Sequence, residues 1–316
     1  MASIANGSQA AFYDEEPAPD NLENVRMHVK EFIEFHKQND TPVVLVTSGG
    51  TTVPLEFNTV RFVDNFSAGT RGSASAEYFI SEGYAVLFLH REYSLEPFSR
   101  NYTHSKHCFL DFLHVETDGL DTARVIVNPR DKGHLISTIN KYKKVQQNHM
   151  LLKVDFNTVN HYLFYLKTCA EELNALGKNG ICYLAAAVSD FYVPASMLTH
   201  HKIQSTNGPF ELKMEQVPKM LHTLTREWCP NAYIISFKLE TDDKLLVPKA
   251  KQALVTYGHQ LVIANMLHTR KFTITLVSPD DTEVVALSPE ERDDGDVEIE
   301  SKLIVKLIEL HKGFKE

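Results

Sequence analysis

The strongest constraint on the fold of this chain is an apolar segment that runs directly into a pair of glycines. Residues 43–46 read Val-Val-Leu-Val, and Thr-Ser-Gly-Gly-Thr follows at 47–51. A short run rich in β-branched residues is typical of a buried parallel strand, and the glycines allow a sharp turn at its end. A second loop rich in small residues, 64–72, leads into a helical pattern at 73–82. The two loops therefore belong to one strand–loop–helix unit.

These two loops are candidates for an anion site. A helix N-terminus offers backbone N–H groups that lack partners, and small side chains let a phosphate approach them. Neither loop matches the Walker A sequence or a strict G-x-G-x-x-G, and similar glycines occur in ordinary turns. From the residues alone, a phosphate site and a plain pair of turns both remain open.

Composition narrows the classes of protein that fit. With 316 residues and a hydrophobic fraction of 43%, the chain can form a globular protein with a full core. Its formal charge of -9 argues against nonspecific nucleic-acid binding, which needs a basic surface. No apolar run reaches the length of a membrane span, and the N-terminus does not resemble a signal peptide. We therefore predict a cytoplasmic protein without nucleic-acid or membrane partners.

The cysteines and histidines give no metal motif. The four cysteines are far apart and form no C-x-x-C pair, so neither a zinc site nor a redox motif is indicated. The 15 histidines are scattered without the spacing of metal ligands. The ligands of any metal stay unknown at this point.

The alternation of helical and apolar segments predicts an α/β fold. Residues 1–20 are expected to form a mobile tail, and 21–316 a single nucleotide-binding α/β domain. We predict a Rossmann-like three-layer sandwich, with a mainly parallel sheet, helices on both faces and a C-terminal β-hairpin. The expected strands are 43–47, 85–89, 181–188, 233–237 and 261–264, with the hairpin at 273–277 and 283–287. The expected helices are 21–36, 73–82, 132–150, 154–174 and 297–311, whereas 91–131 give no clear pattern.

Small or polar residues follow several of these strands, at the edge where ligands of such sheets gather. Three alanines at 185–187 would let a ligand approach closely, and Asp190 follows them. Tight packing, with Asp190 as a helix N-cap, is the alternative. Asn265 can contact a base or a ribose, or serve as a turn residue. Lys202 is an ordinary surface charge unless its loop closes over a phosphate.

Five segments, taken in order, resemble one family. They are Val-Thr-Ser-Gly-Gly-Thr at 46–51, Asp-Asn-Phe-Ser-Ala-Gly-Thr-Arg-Gly at 64–72, Ala-Ala-Ala-Val-Ser-Asp-Phe-Tyr-Val-Pro at 185–194, His-Lys-Ile-Gln-Ser at 201–205 and Ile-Ser-Phe-Lys-Leu-Glu-Thr-Asp at 235–242. Together they resemble the phosphopantothenate–cysteine ligases (phosphopantothenoylcysteine synthetases) of coenzyme A biosynthesis, in their eukaryotic single-function form. The resemblance extends from about residue 43 to the C-terminal helix and is loose over 92–153.

This resemblance implies a ligase domain with a two-step reaction. ATP would activate the carboxylate of (R)-4′-phosphopantothenate as an acyl-adenylate, with release of pyrophosphate. The amine of L-cysteine would then displace AMP and give 4′-phospho-N-pantothenoylcysteine. The resemblance to the eukaryotic form implies ATP rather than CTP, Mg²⁺ to screen the triphosphate, and a homodimer whose partner contributes some substrate contacts.

The resemblance also implies roles for individual residues. Those that would line the triphosphate site are Gly49, Ser67, Gly69 and Gly72, with Phe237 and Asn265 near the nucleoside. Those that match substrate-holding positions are Asn65, Ala186, Ala187 and Asp190. Asn65 and Lys202 match catalytic positions, and Lys202 corresponds to the loop lysine that stabilises the acyl-nucleotide. Ile-Gln-Ser follows this lysine where bacterial members have further lysines, so Lys202 would act alone.

An NADP-dependent short-chain oxidoreductase on a similar fold is the alternative function. Arg91, after the second strand, could accept a 2′-phosphate. Such enzymes also need a tyrosine and a lysine four residues apart on one helix face, and Tyr102 with Lys106 is the match, in an irregular stretch. A nucleotide sensor without activity is a third possibility, but it gives Lys202 and Asp190 no purpose.

Overall fold

Eight strands form the central sheet of the computed structural model, which describes residues 11–103, 108–117, 123–204, 208–294 and 297–316. In chain order the strands are β1 (Val43–Ser48), β2 (Thr52–Pro54), β3 (Phe62–Asp64), β4 (Ala85–Arg91), β5 (Leu113–Thr117), β6 (Ala123–Val127), β7 (Leu151–Phe156), β8 (Gly180–Leu184), β9 (Phe191–Tyr192), β10 (Glu215–Gln216), β11 (Tyr233–Glu240), β12 (Leu261–Met266), β13 (Thr273–Val277) and β14 (Thr282–Ala286). The sheet runs in the order β14-β13-β12-β11-β8-β1-β4-β7, and the remaining strands form the pairs β2–β3, β5–β6 and β9–β10.

Helices connect most of these strands. They are α1 (Leu22–Gln38), α2 (Thr70–Ser81), α3 (Pro129–Gln147), α4 (Val159–Leu173), α5 (Leu221–Thr223, continued by a π-helical turn at Leu224–Trp228), α6 (Asp243–Tyr257), α7 (Pro289–Asp293) and α8 (Ile299–Lys315), with 3₁₀ turns at Phe109–Phe112, Asn174–Asn179 and Ala195–Met197. Over the described ranges, no helix is both long and apolar enough to cross a membrane.

Both faces of the sheet are covered, because successive residues of a strand point to opposite sides. Val43 and Leu45 share a core with α1 and α4, whereas Val44 and Val46 share a second core with α2 and α8. A third, smaller cluster packs α6 against β12. A strand that is buried on both faces has a continuous apolar sequence, which explains why these strands could be predicted.

The strand order is of the Rossmann type. β1 pairs in parallel with β4 on one side and with β8 on the other. The chain passes from β1 through β4 to β7, then returns to β8 and continues through β11 to β12, all in parallel. β13 and β14 add an antiparallel hairpin. The predicted fold class is confirmed, and the direction of progression reverses between β1 and β8, where open α/β sheets bind ligands.

Within the central sheet, two strands differ most from the sequence prediction. The helix expected from residue 154 begins later, because Leu151–Phe156 is the edge strand β7. This strand pairs on one side only, and its side chains at Lys153 and Asp155 are exposed. So short an alternation could not be separated from the helical period of α4. The strand expected over 181–188 ends at Leu184, where the chain leaves the sheet to join the loop after β1.

Residues 11–20 pack against the sheet domain, which the prediction of a mobile tail over 1–20 did not anticipate. The side chain of Phe12 is only 2% exposed and contacts the rings of Phe164 and Tyr192. Glu16 accepts a hydrogen bond from the backbone N–H of Ala195 at 3.0 Å. The buried aromatic side chain of Phe12 therefore outweighs the polar composition of the segment. Residues 1–10 lie outside the described residues, and a mobile tail there stays a prediction.

Candidate functional site

The candidate crevice lies where the strand order reverses, at the carboxyl ends of β1 and β8. Two backbone hydrogen bonds join the loops that leave these strands. Ala187 N–H donates to the Gly49 carbonyl at 2.8 Å, and Thr51 N–H donates to the Ala187 carbonyl at 3.1 Å. The Thr51 hydroxyl also accepts from Ser189 N–H at 2.9 Å. The glycines and the alanines singled out from the sequence therefore lie side by side.

Close packing requires glycine in the loop after β1. Gly49 has a φ of +84°, and a Cβ there would lie 2.8 Å from the Cβ of Arg91. At Gly50, a Cβ would lie 1.6 Å from the carbonyl oxygen of Asn65 and 3.2 Å from the backbone N of Ser67. The loop after β1 and the loop before α2 are therefore in direct backbone contact.

The N-terminus of α2 points to the same crevice. Its N-cap, Gly69, has a φ of +83°, and the hydroxyl of Ser48 donates to the Gly69 carbonyl at 3.2 Å. A Cβ at Gly72 would lie 2.4 Å from Ser48 Oγ, so the first turn of α2 rests on the end of β1. The first N–H groups of a helix lack partners within the helix and carry partial positive charge. This arrangement suits a phosphate.

Three of the residues predicted to hold the substrate lie in these loops. Ala186 N–H donates to Thr47 Oγ1 at 3.1 Å, and Ala187 makes the two backbone hydrogen bonds to the glycine loop. Asn65 N–H donates to the Thr51 carbonyl at 3.1 Å, and the residue is half-buried. Their backbones are thus fixed around the crevice by hydrogen bonds that leave the Asn65 side chain available.

Asp190, the fourth predicted substrate residue, lies farther out. Its side chain is 72% exposed, and Oδ1 accepts a hydrogen bond from Lys219 Nζ at 2.9 Å. The residue directly precedes β9, not a helix, so the alternative role of helix N-cap is wrong. The structure leaves this carboxylate accessible to a ligand or to a second chain.

Phe237 and Asn265, predicted near the nucleoside, lie on the same face of the sheet. β11 and β12 pair with Leu239 opposite Asn265, and Phe237 is two residues earlier. The half-buried ring of Phe237 meets Tyr183 edge to face, with the centroids 5.0 Å apart. Asn265 is buried, and its amide donates to the Ile263 carbonyl at 3.3 Å. This is also the face that α2 covers.

Arg71 connects the phosphate crevice with this pair, a role that the sequence did not reveal. The guanidinium lies in the first turn of α2, where Nη1 donates to Glu300 Oε1 at 2.8 Å and Nη2 is 3.5 Å from Asn265 Oδ1. Burial raises the pKa of Glu300, and the charge of Arg71 opposes that rise. A signal for the pair was available, since Glu300 shares the apolar face of α8 with Leu303 and Leu307.

Lys202 is exposed and lies on a different loop. The residue that follows it, Ile203, donates its N–H to Glu56 Oε1 at 3.3 Å and accepts from Arg61 Nη1 at 3.1 Å. Within the described ranges, no hydrogen bond joins the Lys202 side chain to the glycine loops. The Lys202 segment is instead attached to the loop between β2 and β3, and that loop leads through β3 to Asn65.

The side chains of Tyr102 and Arg91, which an oxidoreductase would need, have other hydrogen-bond partners. Tyr102 Oη is hydrogen-bonded to His134 Nδ1 at 2.6 Å and to Thr138 Oγ1 at 3.3 Å. Arg91 donates to Asp64 Oδ1 at 2.6 Å. Lys106, the other half of the expected tyrosine–lysine pair, lies outside the described residues. The fold and site together therefore define an α/β protein of the Rossmann type, with a helix N-terminus and small residues at its switch point, an arrangement that suits an anion.

Comparison with known proteins identifies the family. A family model described as the DNA/pantothenate metabolism flavoprotein C-terminal domain matches residues 135–305. The chain is 42% identical over 291 residues to the phosphopantothenate–cysteine ligase CAB2 of Saccharomyces cerevisiae, covering 85% of this chain and 77% of the yeast protein. It is 42% identical over 275 residues to the phosphopantothenate–cysteine ligase of Homo sapiens, covering 86% of this chain and 87% of the human one.

A solved structure agrees with these relatives. A Cab2 mutant in complex with phosphopantothenate-cysteine superposes with a TM-score of 0.87 at 41% identity, covering 96% of this chain and 97% of the other. The chain therefore belongs to the phosphopantothenate–cysteine ligase family, the ligases of coenzyme A biosynthesis, as its five sequence segments predicted. It is accordingly an enzyme of the ligase class.

Proposed function

We propose that this protein joins (R)-4′-phosphopantothenate and L-cysteine to give 4′-phospho-N-pantothenoylcysteine, in a single ligase domain over residues 21–316. The observation that carries the proposal is the crevice at the ends of β1 and β8. There, the N-terminus of α2 and the half-buried Asn65 lie on backbone-bonded loops, and Arg71 in the first turn of α2 reaches the buried Asn265 on β12. The cytoplasmic location predicted from the sequence stays a prediction.

The nucleotide half of the proposed site follows from the glycines. The triphosphate lies over Gly49, Ser67, Gly69 and Gly72, because the loop after β1 packs there against the first turn of α2, whose backbone N–H groups suit a phosphate. The nucleoside extends from the N-terminus of α2 toward Phe237 and Asn265. Arg71 supports this geometry, since it contacts Asn265 from the first turn of α2.

The substrate half follows from Asn65, the alanines and Asp190. Asn65 is held against the glycine loop by the backbone of Thr51, and its side chain can bind the carboxylate that becomes activated. Lys202 acts on the reaction itself: its compact ammonium stabilises the negative charge that builds on the α-phosphate as the acyl-adenylate forms and as cysteine displaces AMP. The exposed Asp190 contacts the pantothenate part of the substrate.

Mg²⁺ is the proposed metal cofactor, and it screens the charge of the triphosphate when bound. This ion is usually held by one or two carboxylates together with substrate phosphates. Asp64 is a carboxylate near the glycine loop, since its partner Arg91 lies beside Gly49, and it would exchange the Arg91 guanidinium for the ion on binding. In the described part of the chain, no group of three or more ligating side chains forms a cage of its own.

Pyrophosphate release tests the reaction. Each nucleoside triphosphate is incubated with the enzyme while 4′-phosphopantothenate and cysteine are supplied or omitted. We expect pyrophosphate only when phosphopantothenate is present, and the amide product only when cysteine is added as well. Hydride transfer from a nicotinamide cofactor, with no pyrophosphate, would favour the oxidoreductase instead.

Nucleotide choice is a separate prediction. We expect kcat/KM for ATP to exceed that for CTP by at least about tenfold, because the loop at 64–72 resembles that of the eukaryotic ligases. A tenfold preference corresponds to about 1.4 kcal/mol, which one or two hydrogen bonds to the base can supply. The same pyrophosphate assay measures it. Equal or faster turnover with CTP would contradict the preference and leave the ligase assignment intact.

We also propose that the working unit is a homodimer. The loop and strand that carry Asn65 expose large apolar side chains, among them Phe57, Phe62 and Phe66. Phe191, beside Asp190, is exposed as well. Exposed large apolar side chains favour association, and here they are neighbours along the chain of residues proposed to bind the substrate. A second copy of this chain is therefore the expected occupant.

Phe62→Glu is expected to weaken the dimer and to lower activity together. A carboxylate buried in an apolar interface has no partner there, and its desolvation opposes association. Sedimentation measures the mass at assay concentration, and turnover is measured on the same samples. Val284→Glu is the control, since Val284 is likewise an exposed strand residue, on the hairpin far along the sheet. A fully active monomer would refute the proposal.

A further inference from the structure

Glu56 is an acidic side chain with no exposed surface, on the loop between β2 and β3. Oε2 accepts hydrogen bonds from the N–H groups of Val60 (3.3 Å) and Arg61 (3.0 Å). Oε1 accepts from Arg61 Nη1 (2.9 Å) and from the N–H of Ile203 (3.3 Å). The two oxygens of one carboxylate therefore hold two different segments: Oε2 its own turn, and Oε1 the segment that contains Lys202.

The carboxylate is charged in this position. Burial by itself raises the pKa of Glu56, but the hydrogen bonds from Arg61 and Ile203 outweigh that effect, so the pKa lies below its usual range. A buried carboxylate with four donors is a strong anchor, because hydrogen bonds to a charged acceptor are about twice as strong as neutral ones. Removing an oxygen that accepts them would leave the paired N–H groups without their acceptor.

The contacts of Glu56 converge on the residue after Lys202. Ile203 is fixed on both sides of its backbone, since its carbonyl accepts from the same Arg61 guanidinium at 3.1 Å. Upstream, Phe57 N–H donates to the Thr199 carbonyl at 2.9 Å, and the rings of Phe57 and His200 are 4.9 Å apart. The backbone of Lys202 is thus held at both ends, while its side chain stays exposed.

We infer that Glu56 is a positioning residue for Lys202. By holding the N–H of Ile203, its carboxylate sets where the loop emerges and hence where the Lys202 ammonium can reach the reacting phosphate. The inference rests on the proposed catalytic role of Lys202. A merely structural role, in which Glu56 only stabilises its own turn through Val60 and Arg61, is the alternative.

The first test is Glu56→Gln. An amide NH₂ cannot accept a hydrogen bond, so this variant keeps either the turn or the contact with Ile203, but not both. We expect hydrogen exchange of the Ile203 amide to speed up and kcat to fall by about tenfold or more, because a displacement of about 1 Å can lower a rate a hundredfold. ATP affinity, measured by calorimetry, should stay within about twofold. Unchanged exchange at Ile203 would show that the amide oxygen has kept this contact, and Glu56→Ala, which cannot accept at all, then replaces Glu56→Gln in the test. Faster exchange at Ile203 with an unchanged kcat would overturn the inference.

A double-mutant cycle separates positioning from independent effects. If Glu56 acts through Lys202, Glu56→Gln should slow the wild type but have no further effect on Lys202→Ala. If the kcat losses of the two single variants multiplied in the double variant, the positioning role would be overturned, while the role of Lys202 would stay intact. A Lys202→Ala enzyme with near-normal kcat would instead remove the proposed catalytic lysine, and the inference with it.

Two further variants keep the test decisive. Arg61→Ala removes only the side-chain contacts with Glu56 and Ile203, so it should loosen the Lys202 segment even if Glu56→Gln fails to fold. Glu77→Gln is the matched control, since Glu77 also accepts from a backbone N–H, that of Phe98 (2.7 Å), and from Arg100 (2.8 Å). It should lower stability yet leave kcat within about twofold. If Glu77→Gln lowered kcat as much as Glu56→Gln does, both losses would be due to lost stability, and the inference would be overturned.

Discussion

Replacing Lys202 by alanine is expected to slow acyl-adenylate formation by about a hundred- to a thousandfold. Removing one group that stabilises developing charge typically raises a barrier by about 3–4 kcal/mol. Nucleotide binding should stay close to that of the wild type, because the glycine crevice and the N-terminus of α2 do not include Lys202. Single-turnover kinetics measures the chemical step, and calorimetry measures ATP affinity on the same variant.

Replacing an ordinary surface lysine is expected to change neither the chemical step nor ATP affinity. Lys251→Ala is the control, since Lys251 is an exposed lysine on α6, and such substitutions seldom change stability by more than about 0.5 kcal/mol. It should therefore behave like the wild type in both measurements. If Lys202→Ala also forms acyl-adenylate at a near-normal rate, Lys202 is a solvated surface residue and another group must stabilise the charge.

Lys202→Arg refines this prediction. Arginine keeps the positive charge but presents it as a planar fork rather than a compact ammonium. If Lys202 acts as a point charge on the α-phosphate, arginine should recover only a small part of the lost rate. Full recovery would mean that charge alone matters, and that the exact position of the nitrogen does not.

The central strands and the crevice could be predicted because their sequence signals are local. β1, β4 and β12 are buried on both faces, so each reads as an apolar run that begins within a residue or two of the observed strand. The glycines that follow β1 are needed where backbones touch, as at Gly50. Since the carboxyl ends of parallel strands lie at one edge, loops separated along the chain could be assigned to one site.

The contacts that hold the two loops together could not be predicted. Glu56 accepts a hydrogen bond from the N–H of Ile203, and nothing near Glu56 in the sequence indicates a partner more than a hundred residues away. Arg71 depends in the same way on Glu300. A helical period can show that an acidic residue such as Glu300 shares the buried face of its helix, but it does not indicate which residue of a distant segment will pair with it. The edge strand β7 was missed for a related reason, since pairing on one side gives only a short alternation.

Gly50→Ala is expected to have the largest effect of any single added methyl group at the site. Its Cβ would lie 1.6 Å from the carbonyl oxygen of Asn65, whereas non-bonded atoms prefer about 3.5–4 Å. The loop after β1 and the loop before α2 would have to separate, which moves Asn65 away from the crevice.

We expect kcat/KM of Gly50→Ala to fall by at least about a hundredfold, because a shift of about 1 Å in a reacting group is enough for such a loss. The free energy of unfolding should fall by about 1–3 kcal/mol, as for other overpacked sites. Gly133→Ala is the matched control: Gly133 lies within α3, and a Cβ there would meet nothing within 4 Å. That variant should gain up to about 1 kcal/mol, since alanine favours a helix over glycine, and should keep full activity. Thermal unfolding and steady-state kinetics measure both variants. A Gly50→Ala enzyme with normal kcat/KM would mean that contact between these two loops does not set the position of Asn65.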